Sequence, residues 1–314
     1  MNKAISILWL CCIFLTPTFA QYIAIPDANF EQALIDFGVD SEGTLDGQIL
    51  ISDANSQTGL SIINRNVTDF TGIEAFVNIQ LLDVSYNTNL VSLNTTFNTL
   101  IQSINTEGCA ALTTLNLASN TALTSVNFFD NDISSLDLTN NTLLETIDVR
   151  FNQITSLDLS GHTSLTSFNA KNNALTFLDM RNGNNAIVSF FDSDFNIDLV
   201  CIYVDDASAA YHATWTISFY STLVNNEAEC NTLSAQDEAL NASFNIYYRS
   251  NDVIIKSIIH SGRLKVYDLS GKLVIDNVLN IGENIINTSP SLNKGLYIAK
   301  ITLNNKTISK KIIL

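Results

Sequence analysis

The sequence predicts a mainly β protein in which a solenoid of stacked coils with a parallel β-sheet precedes a small antiparallel β-sandwich domain. Three observations lead to this fold class. A short apolar motif recurs every 21–22 residues through the middle of the chain, and residues 241–314 alternate short β-rich runs with turns. A change in charge near residue 232 separates the two regions.

The recurring motif is Leu-x-x-Leu-x-Leu-x-x-Asn, in which other apolar residues also occupy the Leu positions. Its first, fourth, sixth and ninth positions are Ile79, Leu82, Val84, Asn87; Ile101, Ile104, Thr106, Cys109; Leu123, Val126, Phe128, Asn131; Leu144, Ile147, Val149, Asn152; and Leu165, Phe168, Ala170, Asn173. This period and pattern are the signature of leucine-rich repeats. A helix array or a sandwich, the alternatives considered, does not explain a fixed period together with a fixed asparagine.

The spacing of the motif predicts a short strand whose fourth and sixth positions point into the core, because side chains alternate along a strand. The ninth-position asparagine turns the chain and satisfies backbone groups of neighbouring coils. The second half of each period nearly repeats the pattern, as in Leu112, Leu115, Leu117 and Asn120, so both sides of a coil are expected to be extended. This two-sided repeat resembles the internalin-like class of bacterial leucine-rich repeats over about residues 57–200.

The chain begins with features of a secretory signal peptide over residues 1–20. Lys3 is followed by the apolar run Ala4–Leu15 and by Thr-Phe-Ala at residues 18–20, a small-residue cleavage site. The run is too short to span a bilayer comfortably, and no other segment is expected to span a membrane. Cys11 and Cys12 raise the alternative of a lipoprotein signal, but Leu10 stands where a small residue is expected. The predicted location is therefore secreted or at the cell surface.

Caps are expected at both ends of the solenoid, since stacked coils otherwise expose their core. Residues 21–56 form the predicted N-terminal cap, in which Asp27 precedes a short helix and Phe30 faces the core. The repeats occupy residues 57–198, and residues 199–232 form the C-terminal repeat cap. Residues 233–240 are the predicted linker.

Three cysteines follow the predicted signal peptide: Cys109, Cys201 and Cys230. An exported chain can hold a disulfide. Cys201 and Cys230 both lie in the C-terminal cap, whereas Cys109 takes an asparagine position inside the stack. The sequence therefore predicts a Cys201–Cys230 disulfide, with three free thiols as the alternative.

The region after the linker contains seven β-rich runs, which predict a small antiparallel sandwich: Ser243–Tyr248, Val253–Ile259, Arg263–Tyr267, Lys272–Ile275, Asn284–Ile286, Gly295–Leu303 and Thr307–Leu314. Residues Leu264–Val274, Leu292–Ile301 and Ser309–Leu314 resemble the C-terminal sorting domain of the bacterial type IX secretion system. The chain departs from that family at 247–251, where Tyr-Tyr-Arg-Ser-Asn replaces the usual Tyr-Pro-Asn-Pro. The resemblance implies transport across the outer membrane by the secretion machinery, often followed by cleavage. An accessory sandwich is the alternative.

The distribution of charge excludes some partners. Residues 21–232 contain 25 acidic and 4 basic side chains, whereas residues 233–314 contain 6 acidic and 10 basic ones. A nucleic acid or an anionic lipid surface requires Lys and Arg, so neither is an expected partner of the repeats. Solubility outside the cell explains the acidity, with cation binding as the alternative.

No motif predicts catalysis, a cofactor or a metal site. His162, His212 and His260 have no nucleophile and carboxylate at a recognisable spacing, and zinc, dithiol and phosphate-loop motifs are absent from the sequence. The acidic segments at residues 192–194 and 205–206 lack the ligand series of a calcium loop.

The remaining candidate is a binding surface on the concave strand face. The fifth motif position contributes Asp83, Asn105, Asn127, Asp148 and Asn169, and positions seven or eight contribute Tyr86, Phe129, Phe151 and Phe191. Aromatic rings beside short polar groups are typical of recognition surfaces. The sequence therefore predicts binding of an extracellular protein or glycan. The alternative is a structural surface component without a specific ligand, and a hydrolase is a weaker alternative. For the rings, the alternative is that Phe129 and Phe151 merely pack on one another or on a convex-edge loop.

Overall fold

A computed structural model describes residues 21–218, 221–232, 245–249, 252–258, 261–287, 292, 295–303 and 306–313. The predicted signal peptide and linker lie outside the described residues. The helices are α1 (Ala28–Asp36), α2 (Ile51–Ser56) and a helical segment over residues 227–232, with short 3-10 helices at Ile73–Ala75, Asn185–Ile187 and Ala210–Thr214. Among the described residues, no helix has the length and apolar character needed to cross a membrane.

The strands of the first region are three residues long: β1 (Tyr22–Ala24), β2 (Gln48–Leu50), β3 (Gly59–Ser61), β4 (Leu81–Asp83), β5 (Ser92–Asn94), β6 (Ser103–Asn105), β7 (Thr114–Asn116), β8 (Ser125–Asn127), β9 (Thr146–Asp148), β10 (Ser156–Asp158), β11 (Ser167–Asn169), β12 (Phe177–Asp179), β13 (Phe190–Asp192), β14 (Cys201–Tyr203) and β15 (Thr222–Val224). Those of the second region are β16 (Asn245–Arg249), β17 (Asp252–Ile258), β18 (Gly262–Tyr267), β19 (Leu273–Leu279), β20 (Gly282–Asn287), β21 (Leu296–Leu303) and β22 (Lys306–Ile313).

Seven strands form one parallel sheet in the order β13-β11-β9-β8-β6-β4-β3. Each coil adds one strand in register, so that Leu82 is opposite Ile104 and Ile104 is opposite Val126. The other side of the coils forms two parallel sheets, β5-β7 and β10-β12-β14-β15. The predicted leucine-rich-repeat solenoid with two extended sides is therefore confirmed. The gap between the two smaller sheets is the coil around Leu136, which is buried without being part of a strand.

The ninth-position asparagines hold adjacent coils together as predicted. The Asn87 side chain donates Nδ2 to the carbonyls of Ile62 and Val84, and its Oδ1 accepts from the N–H groups of Arg65 and Val67. One side chain thus satisfies four backbone groups that the stack would otherwise bury unpaired. A second ladder, on the other side of the coils, is formed by Asn98, Asn120 and Asn141.

Two ladder positions carry other residues. Cys109 donates its thiol to the Val84 carbonyl at 3.3 Å, and burial raises the pKa of that thiol to about 11. His162 is buried in the second ladder, and neither ring nitrogen reaches a hydrogen-bond partner. Burial lowers the pKa of His162, so the ring is neutral where it lies.

The caps close both ends of the core. Asp27 is the N-cap of α1, as predicted, and its carboxylate accepts from the N–H groups of Asn29 and Phe30. At the other end Cys201 and Cys230 form the predicted disulfide. Trp215 stacks on Phe191 with ring centroids 4.1 Å apart, which covers the last coil.

Phe191 corrects one part of the sequence prediction. It was expected on the surface at the seventh or eighth motif position, but it is 1% exposed at the inward fourth position of β13. The step from β11 to β13 is 23 residues instead of 21 or 22, because a 3-10 helix at Asn185–Ile187 lengthens this coil. A 21-residue period counted from Leu165 would place Phe191 at the sixth position, which is also inward, so the expected surface position did not follow from the period.

The C-terminal region contains the seven predicted strands. They form a three-stranded sheet, β16-β17-β20, and a four-stranded sheet, β19-β18-β21-β22, and every pairing is antiparallel. The core between the sheets includes Val253, Ile255, Leu264, Val266 and Ala299. The predicted small antiparallel sandwich is confirmed.

Candidate recognition surface

The outward side of the seven-stranded sheet is the surface that the sequence predicts to be concave, and we call it the seven-strand face. In each strand the middle residue is buried, so the first and third residues point outward. The first residues form a row of mainly small side chains: Gly59, Leu81, Ser103, Ser125, Thr146, Ser167 and Phe190. From β4 to β13, the third residues form a row of short polar side chains, which includes all five fifth-position candidates: Asp83, Asn105, Asn127, Asp148, Asn169 and Asp192.

Each member of this polar row closes a turn. Asp83 accepts from the N–H of Ser85 at 3.0 Å, Asn127 from that of Phe129 at 3.2 Å, and Asp148 from that of Arg150 at 3.2 Å. Asn105, Asn169 and Asp192 accept in the same way from the residue two positions later. These are Asx turns, which Asp and Asn favour because the side chain reaches its own backbone. The predicted polar site residues therefore have a structural role that the sequence prediction overlooked.

The remaining polar atoms of these Asp and Asn side chains form hydrogen bonds between neighbouring coils. Asn105 donates Nδ2 to Asp83 at 3.1 Å, and Asn127 donates Nδ2 to Glu107 at 3.0 Å. The Tyr86 hydroxyl donates to the other carboxylate oxygen of Glu107. Four predicted site residues thus join one network through Glu107. Asn169 lies apart from it and is 8% exposed.

Tyr86 and Phe151 present the largest predicted rings to solvent. They are 46% and 47% exposed, and each has a positive φ, 61° and 54° respectively. The same position of other coils has positive φ too, at Gly108, Asp130, Asn172 and Phe195. Glycine, aspartate and asparagine tolerate this left-handed conformation, whereas an aromatic residue there is an outlier that costs on the order of 1 kcal/mol.

Gly108 makes room for the Tyr86 ring. A Cβ on Gly108 would lie 2.7 Å from the nearest atom of that ring, closer than real side chains approach. The ring therefore lies directly over the backbone of the next coil while its hydroxyl contacts Glu107. The two coils together hold an exposed aromatic ring in one position.

The centre of the seven-strand face is an aromatic and charged cluster. The rings of Phe129 and Phe151 meet edge to face with centroids 5.5 Å apart, so the predicted proximity of these rings is present. The Arg150 guanidinium lies 4.7 Å from the Phe129 centroid and forms an ion pair with Asp148 at 2.7 Å. The hydrogen bond to Asp148 raises the pKa of Arg150. We call these four residues the central cluster.

Sequence reasoning missed three members of this surface: Glu107, Arg150 and Lys171, all at the seventh motif position. Lys171 lies over the Phe195 ring at 5.1 Å and 3.8 Å from Asp192. A signal was available in the sequence. Arg150 and Lys171 are two of the four basic residues between residues 21 and 232, and they occupy the same motif position in consecutive coils.

The geometry suits an extended partner. Neighbouring coils repeat the same two outward rows at about 4.8 Å, the spacing between strands. Hydroxyl, carboxylate and amide groups lie beside exposed rings and two cations, which together offer stacking and hydrogen bonding. Within the described part of the chain, no group of three or more His, Cys, Asp or Glu side chains is arranged to hold a metal ion.

Comparison with protein families identifies the C-terminal region. Residues 241–314 match the family of the secretion system C-terminal sorting domain. This match confirms the resemblance seen in the sequence and supports delivery of the chain to the cell surface or outside the cell. It also implies the secretion machinery as a partner. Comparison with curated proteins gives no match.

Solved structures similar to this chain include internalins of Listeria monocytogenes. Internalin C2 is 19% identical with a TM-score of 0.41, covering 66% of this chain and 99% of its own. The functional domain of InlJ, described as including a cysteine ladder, is 16% identical with a TM-score of 0.25, covering 94% of this chain and 98% of its own. At these values the likeness says nothing about ligands. The observed coils and the family match together show a leucine-rich-repeat protein that carries a secretion system C-terminal sorting domain.

Proposed function

We propose that this protein recognises or adheres to an extracellular protein or glycan through the seven-strand face, without catalysis. The central cluster carries the proposal. It places an edge-to-face aromatic pair and a guanidinium on a surface otherwise made of small polar side chains. Aromatic residues and Arg are the types enriched in binding hot spots. The sorting domain supports this function because it delivers the face to where such ligands occur.

The strained aromatic positions add support. Tyr86 and Phe151 keep rings exposed in a conformation that three other coils fill with Gly108, Asp130 and Asn172, and Phe195 is a third aromatic residue at this position. Backbone strain persists when the surrounding structure enforces it, and it concentrates at functional sites. The proposal accounts for both rings as contacts for a ligand.

A structural surface component without a specific ligand is the second candidate. The Asx turns favour it, because every member of the polar row already uses an acceptor to shape its own coil. On that view the row is polar because the turn requires Asp or Asn. The aromatic rings remain unexplained by this alternative.

The test is an array of glycans and cell-surface proteins probed with the exported protein and two variants. Ser125→Lys places a long cation in the middle of the seven-strand face, on β8. Thr114→Lys makes the same kind of change on the opposite side of the coils, on β7. We expect a ligand that binds the parent and Thr114→Lys but not Ser125→Lys.

Three results would contradict the proposal. Retained binding by Ser125→Lys would place the ligand elsewhere than on the seven-strand face. Equal loss in both variants, with parent-like melting curves that exclude damage to the coil, would also contradict it. A parent protein that binds nothing on arrays containing its native surface components would favour the structural candidate.

A further inference from the structure

The four-stranded sheet of the sorting domain has two unlike faces. Leu264 on β18 and Ala299 on β21 point into the domain core. Because side chains alternate along each strand, the residues next to them in sequence point to the opposite face of the sheet. That face carries Arg263, Lys265, Lys300 and Lys311, and Lys310 lines the same cavity beside them. We call it the cationic face.

The cations of this face crowd one another. Lys265 on β18 is directly opposite Lys300 on β21, and like charges in opposite positions of an antiparallel pair are destabilising. Burial lowers the pKa of Lys300, and the charge of Lys265 lowers it further. Asp276 on β19 of the same sheet forms an ion pair with Arg263 at 2.5 Å. On the described sheet, the cations that line the cavity outnumber the carboxylate that Asp276 supplies.

The end of the solenoid has the opposite character. Residues 182–232 contain seven acidic side chains and no Lys or Arg. Asp198 from this stretch lies 2.5 Å from the Lys311 ammonium. A cavity of about 730 Å³ lies between the two regions, lined by Ile197, Val200 and Thr222 on one side and by the cationic face on the other.

We propose that the cationic face is a docking surface for the acidic end of the solenoid of the same chain, residues 182–232, and that this interface holds the sorting domain against the solenoid in a salt-dependent way. Charge complementarity selects this occupant, since this end of the solenoid offers carboxylates and no Lys or Arg. An isolated exposed ion pair contributes little, but several charges acting together contribute more. The cavity leaves these charges within reach of solvent ions, so salt weakens the interface.

The test is zero-length cross-linking of the full chain over residues 21–314, purified before export so that the sorting domain is still attached. A carbodiimide joins a carboxylate to an amine that touches it, and mass spectrometry then locates the linked residues. We expect a cross-link between Asp198 and Lys311 in the monomer band. Its yield should fall at least about fivefold between 0.1 M and 1 M NaCl, because the Debye length shrinks from about 10 Å to about 3 Å.

Matched variants make the result specific. Lys311→Asp should abolish the cross-link, and the Asp198→Lys, Lys311→Asp double variant should restore one between the same positions. Lys272→Asp changes a cation in the turn between β18 and β19, which does not line the cavity, and should leave the yield unchanged. Absence of the Asp198 cross-link while other carboxylates react overturns the proposal. So does a cross-link confined to covalent dimers, which would place the contact between molecules.

Discussion

At the scale of single residues, one side-chain type solves one problem repeatedly. A coil of this size exposes backbone N–H and C=O groups at its corners, and stacking buries them. An asparagine side chain carries a donor and an acceptor about as far apart as those of the backbone itself, so it can replace the missing partners. Sequence reasoning anticipated this role from the position of Asn alone. It did not anticipate the Asx turns, because Asp and Asn at a surface position look the same whether they bind a ligand or their own backbone.

Asn141→Ala tests the cost of an unpaired ladder. The Asn141 amide donates to the carbonyls of Leu117 and Asn120, both inside the stack. Alanine leaves those carbonyls without a partner, so we expect the free energy of unfolding to fall by about 1–3 kcal/mol. Denaturant unfolding measures it. Asn140→Ala, at the exposed neighbouring position, is the control. Equal stability of the two variants would contradict the predicted role.

His162 makes stability depend on pH. Its pKa is lowered in the folded state by burial, so the unfolded chain binds a proton more readily. The folded state is therefore penalised as pH falls below the unfolded value of about 6.5, and it carries no penalty above that value. His162→Asn restores the ladder residue and removes the proton. We expect the variant to gain stability over the parent between pH 7 and pH 5. Burial also lowers the pKa of His212, but this residue is present in both the parent and the variant, so its contribution to the stability difference cancels. A constant difference across this range would contradict the prediction.

At the scale of elements, the hydrophobic period determines most of the fold. Strand positions and the inward side chains followed from the spacing of three apolar positions, because alternation leaves no other arrangement. The coil that ends at β13 departs from the period, since a 3-10 helix at Asn185–Ile187 makes it 23 residues long. The period also predicted extended backbone on the second side of every coil. The segment around Leu136 keeps the register of that side but does not form a strand. Both departures are local changes of the backbone that leave the apolar pattern intact.

Leu136→Asp tests the continuity of the core through that coil. Leu136 is buried, and a carboxylate there would lose its hydration without gaining a partner. Because each coil is stabilised by contact with its neighbours, the change weakens two interfaces at once. We expect a melting temperature far below that of Asn141→Ala. Leu143→Asp, at an exposed position in the following turn, is the control. Parent-like melting of Leu136→Asp would mean that the coil does not contribute to the core.

The central cluster can be tested against its own alternative. We expect the double variant Phe129→Ala, Phe151→Ala to bind a ligand at least about tenfold more weakly, since truncating a central aromatic anchor costs about 2 kcal/mol of binding free energy. The melting temperature should change little, because Phe151 is half exposed and Phe129 is partly exposed. Phe97→Ala removes an exposed ring that follows β5, away from the face, and is the control. Normal binding together with easy unfolding of the double variant would show that the rings serve packing.

At the scale of the whole molecule, charge divides the chain into two regions. The solenoid region is acidic, with 25 acidic and 4 basic side chains over residues 21–232, a balance that disfavours binding to anionic surfaces. The basic C-terminal region is the sorting domain, which acts as an address. The sequence predicted this division because composition needs no knowledge of contacts. The ligand was not predictable, because the same small polar rows serve any flat, extended partner.

Processing during export is the prediction that belongs to this scale. The small-residue sequence at 18–20 predicts a mature N-terminus at Gln21, and the sorting domain predicts loss of about residues 241–314 at the cell surface. Intact-mass analysis of the culture supernatant and of the cell surface tests both ends together. A variant that lacks the sequence Ser309–Leu314 is the control, because we expect it to remain inside the outer membrane with its tail uncleaved. Recovery of the parent as a full-length cytosolic protein would contradict both parts. A mature N-terminus at Gln21 with the tail retained would contradict cleavage alone and would leave the sorting domain as a permanent part of the exported protein.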